Sequence, residues 1–333
     1  MSTPIKQKPK IQTIEKLLGK YELDKIKQIK PFDTSGNITY LVKSTKNNYL
    51  LRLSPSGFRW RSKREIEAEL EIINYLRKNN FPTPVPIVAK DGRQIISWEN
   101  HFGYLREFVN AKPKLNPTIE EIKRFGETLG QFHSLIESYK TKQKRTHIWD
   151  LEETKKNFLQ DKKMILKSTF EQKDEFVNKF ENEIFSLDFP NALPSGTIHE
   201  DLGKRHVFWA KDKIIGIIDF DRSYYGKLVL DLGQACRGWC FTNDSKTWKN
   251  DAFQVLMDGY QNQRKPTHSE KKYLVDAIKF SVLERSLSFC LRFIDITNNP
   301  RDGEYSRFLV QKNGPLGKIE SNRNIIERYI KIV

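Results

Sequence analysis

The sequence predicts an α+β fold with two lobes, a small N-terminal lobe built on an antiparallel sheet and a larger, mainly helical C-terminal lobe. Apolar runs of strand length alternate with turns up to residue 109, and from Asn110 onward the apolar residues recur at helical spacing. The chain has 333 residues, enough to bury a core in each lobe. We therefore expect lobes at residues 1–108 and 109–333, with residues 1–10 as a flexible basic leader.

Composition narrows the class of protein. No apolar run approaches the roughly 18 residues that cross a bilayer, and the N-terminus lacks the apolar stretch of a signal peptide, so we expect a cytoplasmic protein without a membrane partner. Three cysteines in a chain of this size argue against a disulfide framework. The net charge of +16 raises the alternative of nucleic-acid binding. Because the lysines are interspersed with acidic residues, we expect a solvated basic surface and no nucleic-acid partner.

The N-terminal lobe begins with a short predicted helix at residues 11–20, whose apolar residues lie at helical spacing. Three predicted strands follow at residues 29–32, 38–42 and 49–53. The turn Ser35-Gly36-Asn37 between the first two strands could present backbone N–H groups to phosphate, although an ordinary hairpin turn has the same composition.

The rest of this lobe is one helix and two further strands. The helix at residues 62–79 has an apolar stripe with Glu69 on its buried flank. A proline-rich segment at residues 82–86 ends the helix and favours extended backbone. Predicted strands at residues 93–98 and 101–109 complete the sheet.

The C-terminal lobe is predicted to consist mainly of helices. Asn116 and Pro117 are expected to form the N-cap and first turn of its first helix. Thr267 and Glu270 predict a capping box at the start of the longest helix. The other predicted helices lie within residues 140–190, from Leu230 onward and at residues 248–261.

The segment around a predicted hairpin carries the strongest signal for chemistry. Two apolar runs, residues 207–209 and 214–218, flank a polar connection of hairpin length. The residues before the first strand and after the second lie at the same end of a hairpin, so we expect Asp201 and His206 close to Asp219. One carboxylate can accept a proton from a hydroxyl group, and a second can hold Mg²⁺ against phosphates with the help of a neutral ligand. Phosphoryl transfer requires little more than such positioning and charge neutralisation.

This pattern is similar to that of the aminoglycoside phosphotransferase-like kinases, which are small-molecule relatives of the protein kinases. The likeness rests on His199-x-Asp201, the loop that ends at His206, the hairpin, and the sequence Ile-Ile-Asp-Phe that contains Asp219. Most of the family ends the loop in Asn, so His206 is a departure, and it resembles the His-ended loop of aminoglycoside and macrolide kinases. The resemblance implies a protein kinase-like two-lobe fold and transfer of the γ-phosphoryl group of ATP or GTP to a small-molecule hydroxyl.

The resemblance also implies roles for individual residues. Asp201 would orient the acceptor hydroxyl and accept its proton, and Lys204 could offset developing charge. His206 and Asp219 would hold Mg²⁺. For the nucleotide, the resemblance implies that Arg52 binds the phosphates and is paired with Glu69 or alternatively Glu65. The turn Ser35, Gly36 and Asn37 would lie above the phosphates. The backbone of Glu107 and Val109 would contact the base. The residues implied to be structural are His133 and Asp231, of which Asp231 would brace the catalytic loop.

The sequence leaves the acceptor open. The layout resembles type II homoserine kinases over most of the chain, whereas the His-ended loop favours aminoglycoside or macrolide kinases. Arg285 and Arg292 lie on one predicted helix and could bind an acceptor carboxylate or pair with surface acids. An alternative from another class is a catalytically inactive, kinase-fold binding protein, in which His206 and Arg52 mark lost activity.

Overall fold

The structure is a computed structural model, and it describes residues 8–32, 34, 37–54, 62–142, 145 and 150–332. Two residues predicted to bind nucleotide, Ser35 and Gly36, lie outside the described residues, as do the first seven residues of the predicted leader. Within the described ranges, no helix combines the length and the apolar character required to cross a membrane.

The N-terminal part is organised by a five-stranded sheet with the strand order β1-β2-β3-β5-β4. The strands are β1 (Ile26–Pro31), β2 (Ile38–Ser44), β3 (Asn48–Leu53), β4 (Ile95–Trp98) and β5 (His101–Glu107). All neighbours pair antiparallel, as the sequence predicted. Helix α1 (Ile11–Leu18) covers one face of this sheet, where Ile14 and Leu17 join the alternate apolar residues of β2 and β3.

Helix α2 (Lys63–Lys78) connects the sheet to the rest of the molecule. Its first half packs on the sheet face that carries Tyr104. Its second half enters the core of the helical part through Ile72, Ile73 and Leu76. Glu69 lies between the two halves and is buried, as its place beside the apolar stripe predicted. One helix therefore contributes to the packing on both sides of the division proposed at residue 108.

The C-terminal part is mainly helical, and it contains two small sheets. Its helices are α3 (Ile119–Ser138), α4 (Leu151–Lys167), α5 (Lys173–Phe185), α6 (Leu228–Trp239), α7 (Asn250–Gln263), α8 (His268–Arg292), α9 (Pro300–Val310) and α10 (Pro315–Ile332). One sheet joins β6 (Lys112–Pro113), β8 (Val207–Ala210) and β9 (Lys213–Ile217), and the other joins β7 (Ser195–Ile198) and β10 (Tyr224–Lys227). The predicted α+β architecture, with an antiparallel sheet followed by a helical region, is confirmed.

Helices α3 and α7 pack unusually closely because glycine occupies their interface. A Cβ atom on Gly259 of α7 would collide with the carbonyl oxygen of Lys123 on α3. This approach lets His133 of α3 and the Tyr260 hydroxyl of α7 lie 2.8 Å apart in the core. The contact matters for the site because His133 also touches Asp231, which accepts backbone N–H groups of the loop that contains Asp201.

Two features correct the expectations from sequence. Helix α3 begins at Ile119 with Thr118 as its N-cap, so the prediction of Asn116 as N-cap and Pro117 in the first turn was wrong. Thr118 is the N-cap because it forms a capping box with Glu121 that satisfies two backbone N–H groups. The strands β6, β7 and β10 were not predicted, because two to four residues are too few to show alternation.

Candidate active site

Asp231 of α6 fixes the backbone of the loop between β7 and the predicted hairpin. Its carboxylate accepts the N–H groups of His199 at 3.0 Å and Glu200 at 2.8 Å. His133 Nε2 lies 3.3 Å from the same carboxylate. The loop is thus tied to the helical core through backbone groups, which confirms the structural roles expected for Asp231 and His133.

His199 joins this loop to Ile218, the residue that follows β9. Its Nδ1 accepts the N–H of Asp201 at 3.2 Å, and its Nε2 donates to the Ile218 carbonyl at 3.0 Å. Burial lowers the pKa of His199, which favours the neutral imidazole that these two bonds require. His199 therefore orients the backbone around Asp201.

Asp201 is buried and surrounded by cations. Its Oδ1 accepts a hydrogen bond from Arg285 Nη2 at 3.1 Å, and its Oδ2 accepts one from Arg205 Nη2 at 3.1 Å. Burial opposes ionisation, but the positive charge of Arg285, assisted by Arg222 and Arg205, holds the pKa of Asp201 well below its usual range. The carboxylate is therefore ionised at neutral pH.

The hairpin has the predicted form and brings the predicted groups together. Strand β8 pairs antiparallel with β9, and the Ile218 N–H donates to the His206 carbonyl at 3.0 Å. The His206 imidazole lies between two carboxylates, with Nδ1 at 3.8 Å from Asp201 Oδ2 and Nε2 at 3.5 Å from Asp219 Oδ2. The expected proximity of Asp201, His206 and Asp219 is present.

The hydrogen bonds of His206 define which ring nitrogen could bind a metal. Nδ1 lies 2.6 Å from the Asp201 carbonyl oxygen and must donate to it, while Nε2 accepts from Arg205 Nε at 3.2 Å. Nε2 therefore carries the lone pair that faces Asp219. In the described part of the chain, no group of three or more His, Cys, Asp or Glu is arranged around a metal position. One nitrogen and one carboxylate still fit an ion such as Mg²⁺, which takes few protein ligands beside substrate phosphates.

Two residues of the site have a left-handed backbone. Glu200 has a φ of 72° and Asp219 a φ of 75°, values that are uncommon for residues with a Cβ atom. Such strain persists only where surrounding contacts impose it, and it concentrates at functional sites. Here it directs the Asp219 side chain toward His206 and the sheet.

Arg52 of β3 links the sheet to the hairpin. Its Nη1 donates to Glu69 at 3.3 Å and to the Tyr104 hydroxyl at 3.2 Å, and its Nη2 donates to Asp219 at 2.9 Å and Asp221 at 3.1 Å. The predicted partner Glu69 is therefore in place. The alternative partner, Glu65, pairs with Arg145 instead.

The remaining candidates for nucleotide binding lie at the edges of this cluster. Asn37, which precedes β2, lines a small cavity together with Arg52 and Glu69. Glu107 ends β5, and its carbonyl accepts a hydrogen bond from Arg106 at 3.1 Å. Burial lowers the pKa of Arg106 to about 10. Val109, two residues beyond the strand, is half-buried.

Lys204 does not lie against the two aspartates in this structure. Its Nζ donates to the Phe241 carbonyl at 3.1 Å and to Asn243 at 3.2 Å, on the loop after α6. Burial lowers the pKa of Lys204. The charge-offsetting role implied by the resemblance stays a prediction.

Three residues that contact the site were not predicted from the sequence, namely Tyr104, Arg205 and Asp221. Asp221 follows Asp219 by two residues, so the repeated aspartate in Asp-Phe-Asp was an available signal. Tyr104 could be found only from strand pairing, because it stands opposite Arg52 across β3 and β5. Arg205 gave no signal, since an exposed arginine in a loop is common.

Comparison with known proteins gives one family and a consistent fold. A model of the family described as "Phosphotransferase enzyme family" matches residues 28–260. A homoserine kinase of Agrobacterium fabrum (strain C58 / ATCC 33970) is 24% identical over 286 residues, which cover 84% of this chain and 82% of that protein.

Solved structures with the same fold are more distant in sequence. An amicoumacin kinase in complex with AMP-PNP, Ca²⁺ and Ami superposes with a TM-score of 0.73 at 16% identity, covering 95% of this chain and 97% of the other. A microcompartment-associated aminopropanol kinase has a TM-score of 0.70 at 15% identity, covering 96% and 99%. These likenesses confirm the predicted protein kinase-like fold.

Proposed function

The chain belongs to the Phosphotransferase enzyme family, and we propose that it transfers the γ-phosphoryl group of ATP or GTP to a hydroxyl group of a small molecule. It is a kinase with an alcohol group as acceptor. The observation that carries the proposal is the convergence of Asp201 and Asp219 on the two nitrogens of one imidazole, next to a buried arginine of the sheet.

Asp201 is the proposed catalytic residue. The acceptor hydroxyl donates a hydrogen bond to its carboxylate, so the oxygen is aligned for attack on the γ-phosphorus. The new O–P bond forms as the bond between the γ-phosphorus and the β,γ-bridging oxygen breaks. The nucleoside diphosphate leaves with the electron pair of that bond. The low pKa of Asp201 makes it a weak base, which suits a proton that moves late in a loose transition state.

Arg52 is proposed to hold the nucleotide phosphates, with its guanidinium fixed by Glu69. The turn residues Ser35, Gly36 and Asn37 are proposed to contribute backbone N–H groups above the phosphates. The base would contact the backbone of Glu107 and Val109. Support for the Val109 contact comes from its N–H, which donates no hydrogen bond within the described residues.

His206 and Asp219 are proposed to hold Mg²⁺, and Lys204 to offset charge if its ammonium leaves the Phe241 carbonyl. A bound magnesium ion would neutralise charge on the phosphate oxygens. His206 can offer its Nε2 lone pair only if Arg205 moves away, because Arg205 Nε donates to that atom here. The Nδ1 bond to the Asp201 carbonyl keeps the ring in the orientation that faces Asp219.

The proposed acceptor is homoserine or a related hydroxy amino acid, in line with the relatives that are homoserine kinases. Aminoglycosides and macrolides are the alternative acceptors that the His-ended loop suggests. A catalytically inactive binding protein is the alternative from another class, and it would bind nucleotide without transferring phosphate.

A substrate panel tests the proposal. Transfer of labelled γ-phosphate from ATP and from GTP is measured with homoserine, other hydroxy amino acids, an aminoglycoside and a macrolide, in the presence of Mg²⁺. We expect transfer to at least one acceptor, and a kcat for Asp201→Asn about 10²–10⁴-fold lower. Near-normal turnover by Asp201→Asn would refute the role of Asp201, and nucleotide binding without any transfer would support the inactive alternative.

A further inference from the structure

A second group of cations lies on helices α6 and α8, next to Asp201. Arg285 of α8 donates from Nη2 to Asp201 Oδ1 at 3.1 Å, and its side chain is only 11% exposed. Arg237 of α6 lies beside the same loop as Asp201, because a Cβ atom on the adjacent Gly238 would be only 3.5 Å from Gly203 Cα, two residues beyond Asp201. Helices α6 and α8 pack against each other here, with Ser281 Oγ 3.5 Å from the Gly233 carbonyl oxygen.

Arg237 has no anionic partner in the described part of the chain. None of its nitrogens makes a hydrogen bond or an ion pair there, and the Nε atoms of both Arg237 and Arg285 are buried without an acceptor. Burial, and next the charge of Arg285, lower the pKa of Arg237. Two neighbouring guanidinium groups with unused donors are costly unless an anion joins them.

Other partly buried arginines of the helical part are matched by carboxylates. Arg264 lies 2.9 Å from both Glu137 and Glu270. Arg222 lies 2.9 Å from Glu284, the acid that stands next to Arg285 in the sequence. Glu284 is therefore engaged elsewhere, and Asp201 already accepts from two arginines. The donors of Arg237 are left for a ligand.

We infer that Arg237 and Arg285 bind a carboxylate group of the acceptor, so that the acceptor is a short hydroxy acid or hydroxy amino acid. This inference rests on the proposed function, in which Asp201 faces the acceptor hydroxyl. Arg285 touches Asp201 itself, so the hydroxyl and the carboxylate must lie only a few bonds apart. Homoserine meets this condition.

The same charges disfavour the alternative acceptors. An aminoglycoside carries several ammonium groups and would bring positive charge toward two guanidinium groups that have unused donors. A macrolide offers no carboxylate to pair with them. Arg237 and Arg285 therefore favour a hydroxy acid over the aminoglycoside and macrolide acceptors that the sequence left open.

Arg292, seven residues along the same helix, provides a matched control. Its Nε lies 3.2 Å from Asp302, and its side chain is about half exposed. The structure therefore separates the two arginines that the sequence suggested together. Arg285 faces the site, whereas Arg292 pairs with an acid of α9.

The test compares L-homoserine with 3-aminopropan-1-ol, which is homoserine without its carboxylate. For the wild-type protein we expect a kcat/KM about 30-fold or more in favour of homoserine, as loss of a buried charge-assisted contact implies. Arg237→Met should raise the KM for homoserine by a similar factor and so reduce the preference for homoserine over 3-aminopropan-1-ol. Arg237→Lys should recover part of the loss, and Arg292→Met should behave as wild type. Thermal melts of each variant verify folding.

Calorimetry of homoserine binding in the presence of nucleotide and Mg²⁺ adds a readout that does not depend on turnover. Equal use of both acceptors, transfer only to acceptors without a carboxylate, or no binding of homoserine and the other hydroxy acids would each overturn the inference while leaving the kinase function in place. If the wild-type protein binds neither ATP nor GTP, the proposed function itself fails.

Discussion

His206 occupies the end of the loop, where the family resemblance led us to expect asparagine, and its hydrogen bonds set the orientation of the imidazole. The Asp201 carbonyl oxygen accepts a hydrogen bond from His206 Nδ1 at 2.6 Å, so the lone pair of Nε2 is directed toward Asp219. An amide side chain would present an oxygen, which Mg²⁺ prefers. Under the proposed function, His206 would therefore offer Mg²⁺ a nitrogen where asparagine would offer an oxygen.

Variants of His206 test whether it acts as a metal ligand. We expect His206→Asn to keep Mg²⁺-dependent transfer within about tenfold of wild type, because an amide oxygen can replace the nitrogen. His206→Leu should raise the Mg²⁺ concentration needed for half-maximal rate by at least about tenfold. The measurement is the initial rate across a Mg²⁺ titration, with circular dichroism as the control for folding. An unchanged Mg²⁺ dependence in His206→Leu would exclude the ligand role.

Individual site residues could be predicted from the sequence where their partners lie nearby in the chain or in a recognisable motif. The order of Asp201, His206 and Asp219 around a hairpin was sufficient to predict their proximity. Tyr104 could not be found in this way, because its contact with Arg52 crosses between strands whose register depends on the whole sheet. Arg237 also gave no signal, since the significance of an arginine depends on which acids its neighbours already engage.

Helices α5, α8 and α10 are joined by a charged cluster centred on Lys279. Its ammonium lies 3.0 Å from Glu183 and 2.7 Å from Glu320. Burial opposes the ionisation of these carboxyl groups, but hydrogen bonds from Lys179 and then Lys279 lower the pKa of Glu183, and hydrogen bonds from Arg323 and then Lys279 lower the pKa of Glu320. Despite the same desolvation, these acids raise the pKa of Lys279.

We expect Lys279→Met to lower the free energy of unfolding at pH 7 by about 1–2 kcal/mol, because two partly exposed carboxylates lose their shared cation. The lowered carboxyl pKa values mean that this stabilisation is present above the usual glutamate range and is lost as the pH falls through the folded-state values. Because the pKa of Lys279 is raised, the lysine stays charged, and the stabilisation persists, to a pH above the usual lysine range. Urea unfolding between pH 3 and pH 8 measures the difference, which should shrink in acid. A constant difference would contradict the account.

Elements with a strong local signal were predictable, and elements that depend on distant contacts were not. The capping box of Thr267 and Glu270 starts α8 as expected. The start of α3 was misplaced because Asn116-Pro117 and Thr118 offer competing caps, and Glu121 decides between them. Strand β6 has two residues and exists only because β8 pairs with it.

The whole molecule brings together groups that lie far apart in the chain. Arg52 and Asp219 are 167 residues apart in sequence and meet at 2.9 Å. The sheet supplies Arg52, the segments on either side of the hairpin supply the two aspartates and the imidazole, and helices α6 and α8 supply Arg237 and Arg285. The net charge of the chain is +16, and the expectation that the protein binds no nucleic acid stays a prediction.

Calorimetric titration of ATP and GTP, with and without Mg²⁺, into wild type, Asp201→Asn and Asp219→Asn tests the central claim most directly. The account predicts Mg²⁺-dependent binding of at least one nucleotide to the wild type, retained binding by Asp201→Asn without transfer, and binding weakened by at least about tenfold in Asp219→Asn. A wild-type protein that binds neither nucleotide, or an Asp219→Asn variant that binds it as tightly as wild type, would contradict the account.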